Sequence, residues 1–168
     1  MSKKTDYRLL LQQMEGFLEA DRTLLPVLSN ASALFMTSME EINWAGFYLL
    51  RDGQLVLGPF QGRPACIHIA WGKGVCGTAV QEDRTLRVDN VHEFPGHIAC
   101  DSASRSEIVV PIRDSGSKKA VGVLDIDSPV YTRFDEEDQK GLEAFVQLIE
   151  REMDWDVWKK EKDGVSGI

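Results

Sequence analysis

At 168 residues, with 43% hydrophobic and 27% charged residues, the chain suits one domain with a real core and has the make-up of a soluble globular protein. Nineteen basic against twenty-seven acidic residues give a net charge of -8 and no basic stripe, which argues against a nucleic-acid binder. No apolar run reaches membrane length, the start "MSKKTDYR" lacks the apolar stretch of a signal peptide, and three cysteines are too sparse for a disulfide scaffold, so a reducing cytoplasmic location is expected.

From Tyr7, apolar residues at Leu10, Leu11, Met14, Phe17 and Leu18 follow helical spacing. A second helix is predicted with Leu24, Leu25, Val27, Leu28, Ala31, Leu34 and Phe35 on its buried side and Pro26 in its first turn, where proline is tolerated. The period then changes. "INWAGFYLL" and "LVLGPF" read as strands joined by the tight turn "RDGQ". "ACIHIAW" reads as a third strand and "TLRVD" as a short fourth, separated by the glycine-rich "GKGVCGTAVQEDR", with at most about two turns of helix. "FPGHIACDSASRSE" has no period and is crowded with turn residues. "EIVVPIR" and "KKAVGVLDID" form a further hairpin around "DSGS". "FDEEDQKGLEAFVQLIEREM" is an amphipathic helix with Asp135 as cap and the acidic run 135–138 at its dipole-positive end. The expectation is a single domain over 1–168, with its core over about 5–155 and a frayed tail over 160–168. Its class is α+β: a mostly antiparallel sheet of about six strands, two N-terminal helices and one C-terminal helix, with the helices on one face.

Several patterns suggest chemistry and fail on context. "GKGVCG" matches G-x-G-x-x-G at Gly72, Gly74 and Gly77 but lacks the long helix and parallel strand of a dinucleotide site, so it reads as a close-packed turn. Cys66, His68, His97 and Cys100 have spacings compatible with zinc, yet residues two apart on a strand lie about 7 Å apart, long for chelation at one ion. The deaminase pattern is missing and no metal is expected. There is no G-x-S-x-G elbow.

The last hairpin is more informative. With "DSGSK" as the loop, Arg113 pairs with Lys119, Glu107 falls opposite Asp125, and Asp127 lies diagonally beyond on the same face. Val121 and Val123 precede the two aspartates on that face. Three carboxylates so close repel one another unless a cation or shared protons compensate. Cys100 starts the segment that ends at Glu107, and that coincidence favours a site.

"INWAGFYLL", "LVLGPFQG", "GVCGTAV", "VHEFPGHIACDSASRSEIVVPI" and "GVLDIDSP" together resemble the free methionine-(R)-sulfoxide reductases, small proteins of the GAF fold. The similarity runs from about Ile42 to Phe134; the one departure is a slightly longer "RDSGSKKA" turn at a hairpin tip. The resemblance implies reduction of free methionine (R)-sulfoxide, with Cys100 as nucleophile, Cys66 as the resolving cysteine and Asp127 as the proton donor. It implies that Trp44 and Tyr48 wall the pocket, that Glu107, Asp125 and Asp127 bind the substrate ammonium, and that backbone N–H groups of residues 96–100 hold its carboxylate. Cys76 is read as a buried packing thiol, with a substitute resolving role as the alternative. His92 and His97 are within reach of lowering the Cys100 pKa, although surface-loop histidines are usually incidental. No cofactor is implied; the expected reductant is a thioredoxin-type dithiol, and a homodimer is in keeping with the family. The competing reading is a non-catalytic GAF module that senses a small ligand; the lack of an output domain and the full cysteine set count against it.

Overall fold

A computed structural model describes residues 4–97 and 102–160. Cys100, the expected nucleophile, and nearly all of the expected frayed tail lie outside them. The first helix, α1 (Tyr7–Ala20), starts where the Asp6 carboxylate accepts the Leu9 N–H and buries Leu10, Met14 and Leu18. The second, α2 (Leu24–Ser38), carries Pro26 in its first turn and buries Val27, Leu28, Ala31 and Phe35, whereas Leu25, expected on that side, faces outward and is 55% exposed. Strands β1 (Trp44–Arg51) and β2 (Gln54–Gln61) meet through Asp52 and Gly53, both at positive φ (52° and 77°), the geometry that an Asp-Gly hairpin turn requires.

The third strand, β3, is only His68–Ala70. The expected strand began at Ala65, but Ala65 and Cys66 belong to a loop that follows Gly62 and Pro64. Next come α3 (Gly74–Glu82), β4 (Leu86–Val88), β5 (Ser106–Arg113), β6 (Ala120–Ser128), α4 (Glu136–Glu152) and the short α5 (Asp156–Lys160). The six strands lie in the order β3-β2-β1-β6-β5-β4, and every neighbouring pair is antiparallel. Among the described residues no helix is long and apolar enough to cross a membrane.

The β5–β6 register differs from the expected one by two residues. Glu107 faces Asp127 and Asp125 faces Val109. One residue of the difference comes from the turn: Arg113 pairs with Ala120 and not Lys119. The other is a bulge, since Ile112 faces Gly122 and leaves Val121 as an extra residue. The bulge also turns Val121 to the other side of the sheet, into the core that holds Leu124 and Ile126, while Val123 stays on the carboxylate face. Because the side-chain period is two, a two-residue shift leaves Glu107, Asp125 and Asp127 on one face.

The two faces of the sheet are covered differently. Helices α1, α2 and α4 bury a large apolar core on one face. On the opposite face the short α3 closes a smaller core against β5, β6 and β3, so the helices are not all on one side as expected. Its N-terminal turn is as tight as the glycines suggested: Gly72 and Gly74 have positive φ, and a Cβ on Gly77 would lie 2.5 Å from the Ala70 carbonyl oxygen.

Candidate active site

The smaller core ends in a cavity of about 40 Å³ between α3 and the middle of the sheet. Sheet register explains who lines it. Trp44 faces Asp127 across β1–β6, Gly46 faces Asp125, and Tyr48 faces Val123. Asp127 in turn faces Glu107 across β5–β6. Two aromatics and three carboxylates thus come from three adjacent strands, all on the face that α3 covers. Trp44 and Tyr48 are each 2% exposed. The Trp44 ring stacks between Tyr48 (5.9 Å) and Phe60 (5.2 Å), and a Cβ on Gly46 would fall 2.3 Å from the Phe60 Cβ, so this packing needs glycine there.

Both aromatics also tie down the loop before β3. The Trp44 indole N–H donates to the Arg63 carbonyl (3.1 Å), and the Tyr48 hydroxyl donates to the Cys66 carbonyl (3.0 Å). Cys66 is half-buried and disulfide-bonded, while Cys76 is a free, buried thiol on α3. Cys76 lies against the acids, its Sγ 3.8 Å from Glu107 Oε1.

The acids are deeply buried: Glu107 is 7% and Asp125 6% exposed, and Asp127 is half-buried. Burial, reinforced by the negative charges of Asp125 and Asp127, holds the Glu107 carboxyl well above the usual range. Burial raises Asp125 to about 6. The Cys76 thiol is pushed up by burial and then by the neighbouring carboxylates, so it is protonated at neutral pH and a poor nucleophile. The arrangement stores protons beside an apolar aromatic wall. It also offers ligand atoms, since Cys76, Glu107 and Asp125 each place one within 4.8 Å of the other two.

Among the expected site residues, the structure brings together Trp44, Tyr48, Cys76, Glu107, Asp125 and Asp127. His68 is exposed on β3 and is not part of the cavity lining, and Cys100, the fourth member of the zinc quartet, lies outside the described residues. His97 does line the cavity, a place that sequence reasoning left as incidental; burial and then His92 lower its pKa, which keeps it neutral. Its backbone N–H, one of those expected to hold the substrate carboxylate, donates to the Phe94 carbonyl (3.1 Å). Ser104 is a lining residue that no sequence pattern selects. It is buried, lines the cavity and accepts a hydrogen bond from Asn43 Nδ2 (3.2 Å). Asn43 is 61 positions away, so no local pattern signals the pair.

The family model of the GAF domain matches residues 5–153. The chain is 56% identical over 151 residues to Protein YtsP of Bacillus subtilis (strain 168), covering 89% of this chain and 91% of that protein. It is 46% identical over 167 residues to the free methionine-R-sulfoxide reductase of Escherichia coli (strain K12), covering 99% of this chain and 100% of that one. The structure of fRMsr of Staphylococcus aureus in complex with substrate superposes with a TM-score of 0.85 at 51% identity, covering 92% of this chain and 99% of that one.

Proposed function

Because the chain belongs to the free methionine-R-sulfoxide reductases, a family of GAF-domain proteins, we propose that it reduces free methionine (R)-sulfoxide to methionine at the cavity beneath α3. The observation that carries this reading is the stacked Trp44–Tyr48 wall beside the carboxylates of Glu107, Asp125 and Asp127 on one face of the sheet. The methyl group of the methyl-sulfinyl end fits the wall. A substrate ammonium supplies the cation that crowded carboxylates need.

The Cys100 thiolate attacks the sulfoxide sulfur. The attack forms a Cys100–substrate S–S bond and a proton from the acids goes to the oxygen; the oxygen then passes to the Cys100 sulfur as the S–O and S–S bonds break, giving a Cys100 sulfenic acid and free methionine. Asp127 hands over that proton, being the least buried of the trio and directly across from protonated Glu107. The Cys66 thiol then displaces hydroxide from the sulfenic sulfur, which leaves as water, and a Cys66–Cys100 disulfide forms. A thioredoxin-type dithiol reduces this disulfide and is itself oxidised. The disulfide-bonded state of Cys66 and the free, buried state of Cys76 support Cys66 as the resolving residue.

The test follows NADPH consumption with thioredoxin and thioredoxin reductase. Free methionine (R)-sulfoxide should drive it, and the (S) epimer or a sulfoxide-containing peptide should not. A ligand-sensing GAF module would consume none, and equal rates on the peptide would sink a pocket built for the free amino acid. Cys100→Ser should abolish turnover, while Cys66→Ser should release about one methionine per chain and then stall. Equal loss of that burst in both variants would reject the assigned order.

A further inference from the structure

Cys76, Glu107 and Asp125 stand on three different elements, α3, β5 and β6, and converge on the wall of the cavity. Each offers one ligand atom, all within 4.8 Å of one another, and Cys76 Sγ is 3.8 Å from Glu107 Oε1. Sulfur and oxygen ligands around one tetrahedral ion, at roughly 2.3 and 2.1 Å, lie about 3.6 Å apart. Little movement separates the observed spacing from a ligating one. A second observation is independent of the spacing. Asp125 Oδ1 is buried without a hydrogen-bond partner among the described residues, on a side chain only 6% exposed. A buried oxygen in that condition is costly unless something else satisfies it.

We propose that Cys76, Glu107 and Asp125 form a binding site for a soft divalent cation of the zinc and cadmium class. One sulfur and two carboxylate oxygens suit such an ion, whereas magnesium and calcium prefer more ligands and oxygen alone. Coordination replaces the thiol proton of Cys76 and any proton held by the Glu107 and Asp125 carboxyls, and these protons leave to solvent. The fourth position opens on the cavity, where a water molecule fits. The ion would stand on two of the three acids proposed to hold the substrate ammonium, so ion and substrate exclude each other. Binding itself rests on geometry and not on the reductase reading.

The probe is Cd²⁺ alone, titrated into the full chain with its Cys66 disulfide intact, a state in which Cys76 is a free thiol. A sulfur-to-cadmium charge-transfer absorption should grow and saturate at about one ion per chain. It should vanish in Cys76→Ser, and the apparent affinity should fall at least about tenfold in Asp125→Asn. Absence of the absorption, its persistence in Cys76→Ser, or unchanged affinity in Asp125→Asn would each overturn the site. Thermal melts verify that the variants fold, and if Cys76→Ser does not, Asp125→Asn decides. Since no turnover is read, a chain that binds Cd²⁺ yet fails the NADPH test would sink the reductase reading alone.

Discussion

Asp138 and Asp125 are equally buried, each 6% exposed, and the sequence surrounds them in opposite ways. Asp138 has every neighbour that an ionised carboxylate wants: Arg133 Nη1 at 3.1 Å, the Tyr7 hydroxyl at 2.6 Å and the Asp135 N–H at 3.0 Å. With Asp135 it also closes a capping box on α4. Asp125 is surrounded by Glu107 and Cys76, and its Oδ1 has no hydrogen-bond partner among the described residues. One carboxylate is finished by the fold; the other is hydrogen-bonded by Glu107 and Cys76 and keeps one oxygen for what enters the cavity. The difference separates an acid that holds structure from an acid kept for chemistry.

The largest expected effect is on the unfinished side. Asp127→Asn keeps the size of the donor but cannot supply a proton, so the chemical step should slow by about 10²–10⁴-fold. Wild-type activity should fall on the alkaline side as the donor titrates, and that limb should disappear in the variant. A near wild-type rate with the limb intact would move the role to Glu107 or Asp125, whose shared titration makes them the next candidates.

On the finished side, Arg133→Leu should cost about 3–5 kcal/mol, because it removes the ion-pair partner that buried Asp138 contacts at 3.1 Å. Denaturant melts should show that loss, while kcat of the folded fraction stays near wild type. A larger fall in kcat than in stability would mean that the two acid sites are not separate.

The third prediction concerns pH. Asp125 sits at about 6 against its ordinary 3.8, so the native state holds a proton that the unfolded chain has given up. This contribution to stability is complete below roughly pH 4 and is lost as pH rises through about 6. The native protein should therefore lose up to a few kcal/mol across that window, and Glu107, shifted in the same direction, extends the loss upward. Other carboxylates shift the opposite way, so the difference between wild type and Asp125→Asn isolates the effect in urea melts at several pH values. A variant that steepens the fall would reverse the sign assigned here.

The smallest effect is at the α4 cap. Asp135→Ala removes the acceptor for the Asp138 N–H and should cost about 1 kcal/mol, leaving substrate affinity unchanged. A change in KM would again join the two sites.

Much of this contrast was legible in the chain, and its gaps have physical causes. Helical spacing placed α1, α2 and α4, and the Asp135 cap stands where it was expected. The Asp-Gly turn set β1 against β2. The carboxylates were grouped on the correct face although their pairing was displaced, since an even displacement preserves the face. The bulge at Val121 was hidden because nothing local marks a bulged residue flanked by ordinary strand formers. The burial of Asp138 was also hidden. "DEED" reads as a solvated helix start, and Tyr7, which completes the site, is 131 positions away. Nine residues of α3 carry too short a pattern to tell which face of the sheet they cover. The role of Cys100 rests on family resemblance, since no composition or spacing singles it out.

The central place of β6, between β1 and β5, has a kinetic consequence. Trp44 meets Asp127 only after the chain has been made through residue 127, and Asp127 meets Glu107 only through the same late strand. During synthesis at about 5–20 residues per second, the early hairpin can close while its pocket still lacks a floor. Pairing a first strand with a last one is also the slow, long-range kind of contact. The nascent chain thus carries its aromatics and all three cysteines ahead of the strand that joins them into a site, and that site is born with the completed sheet.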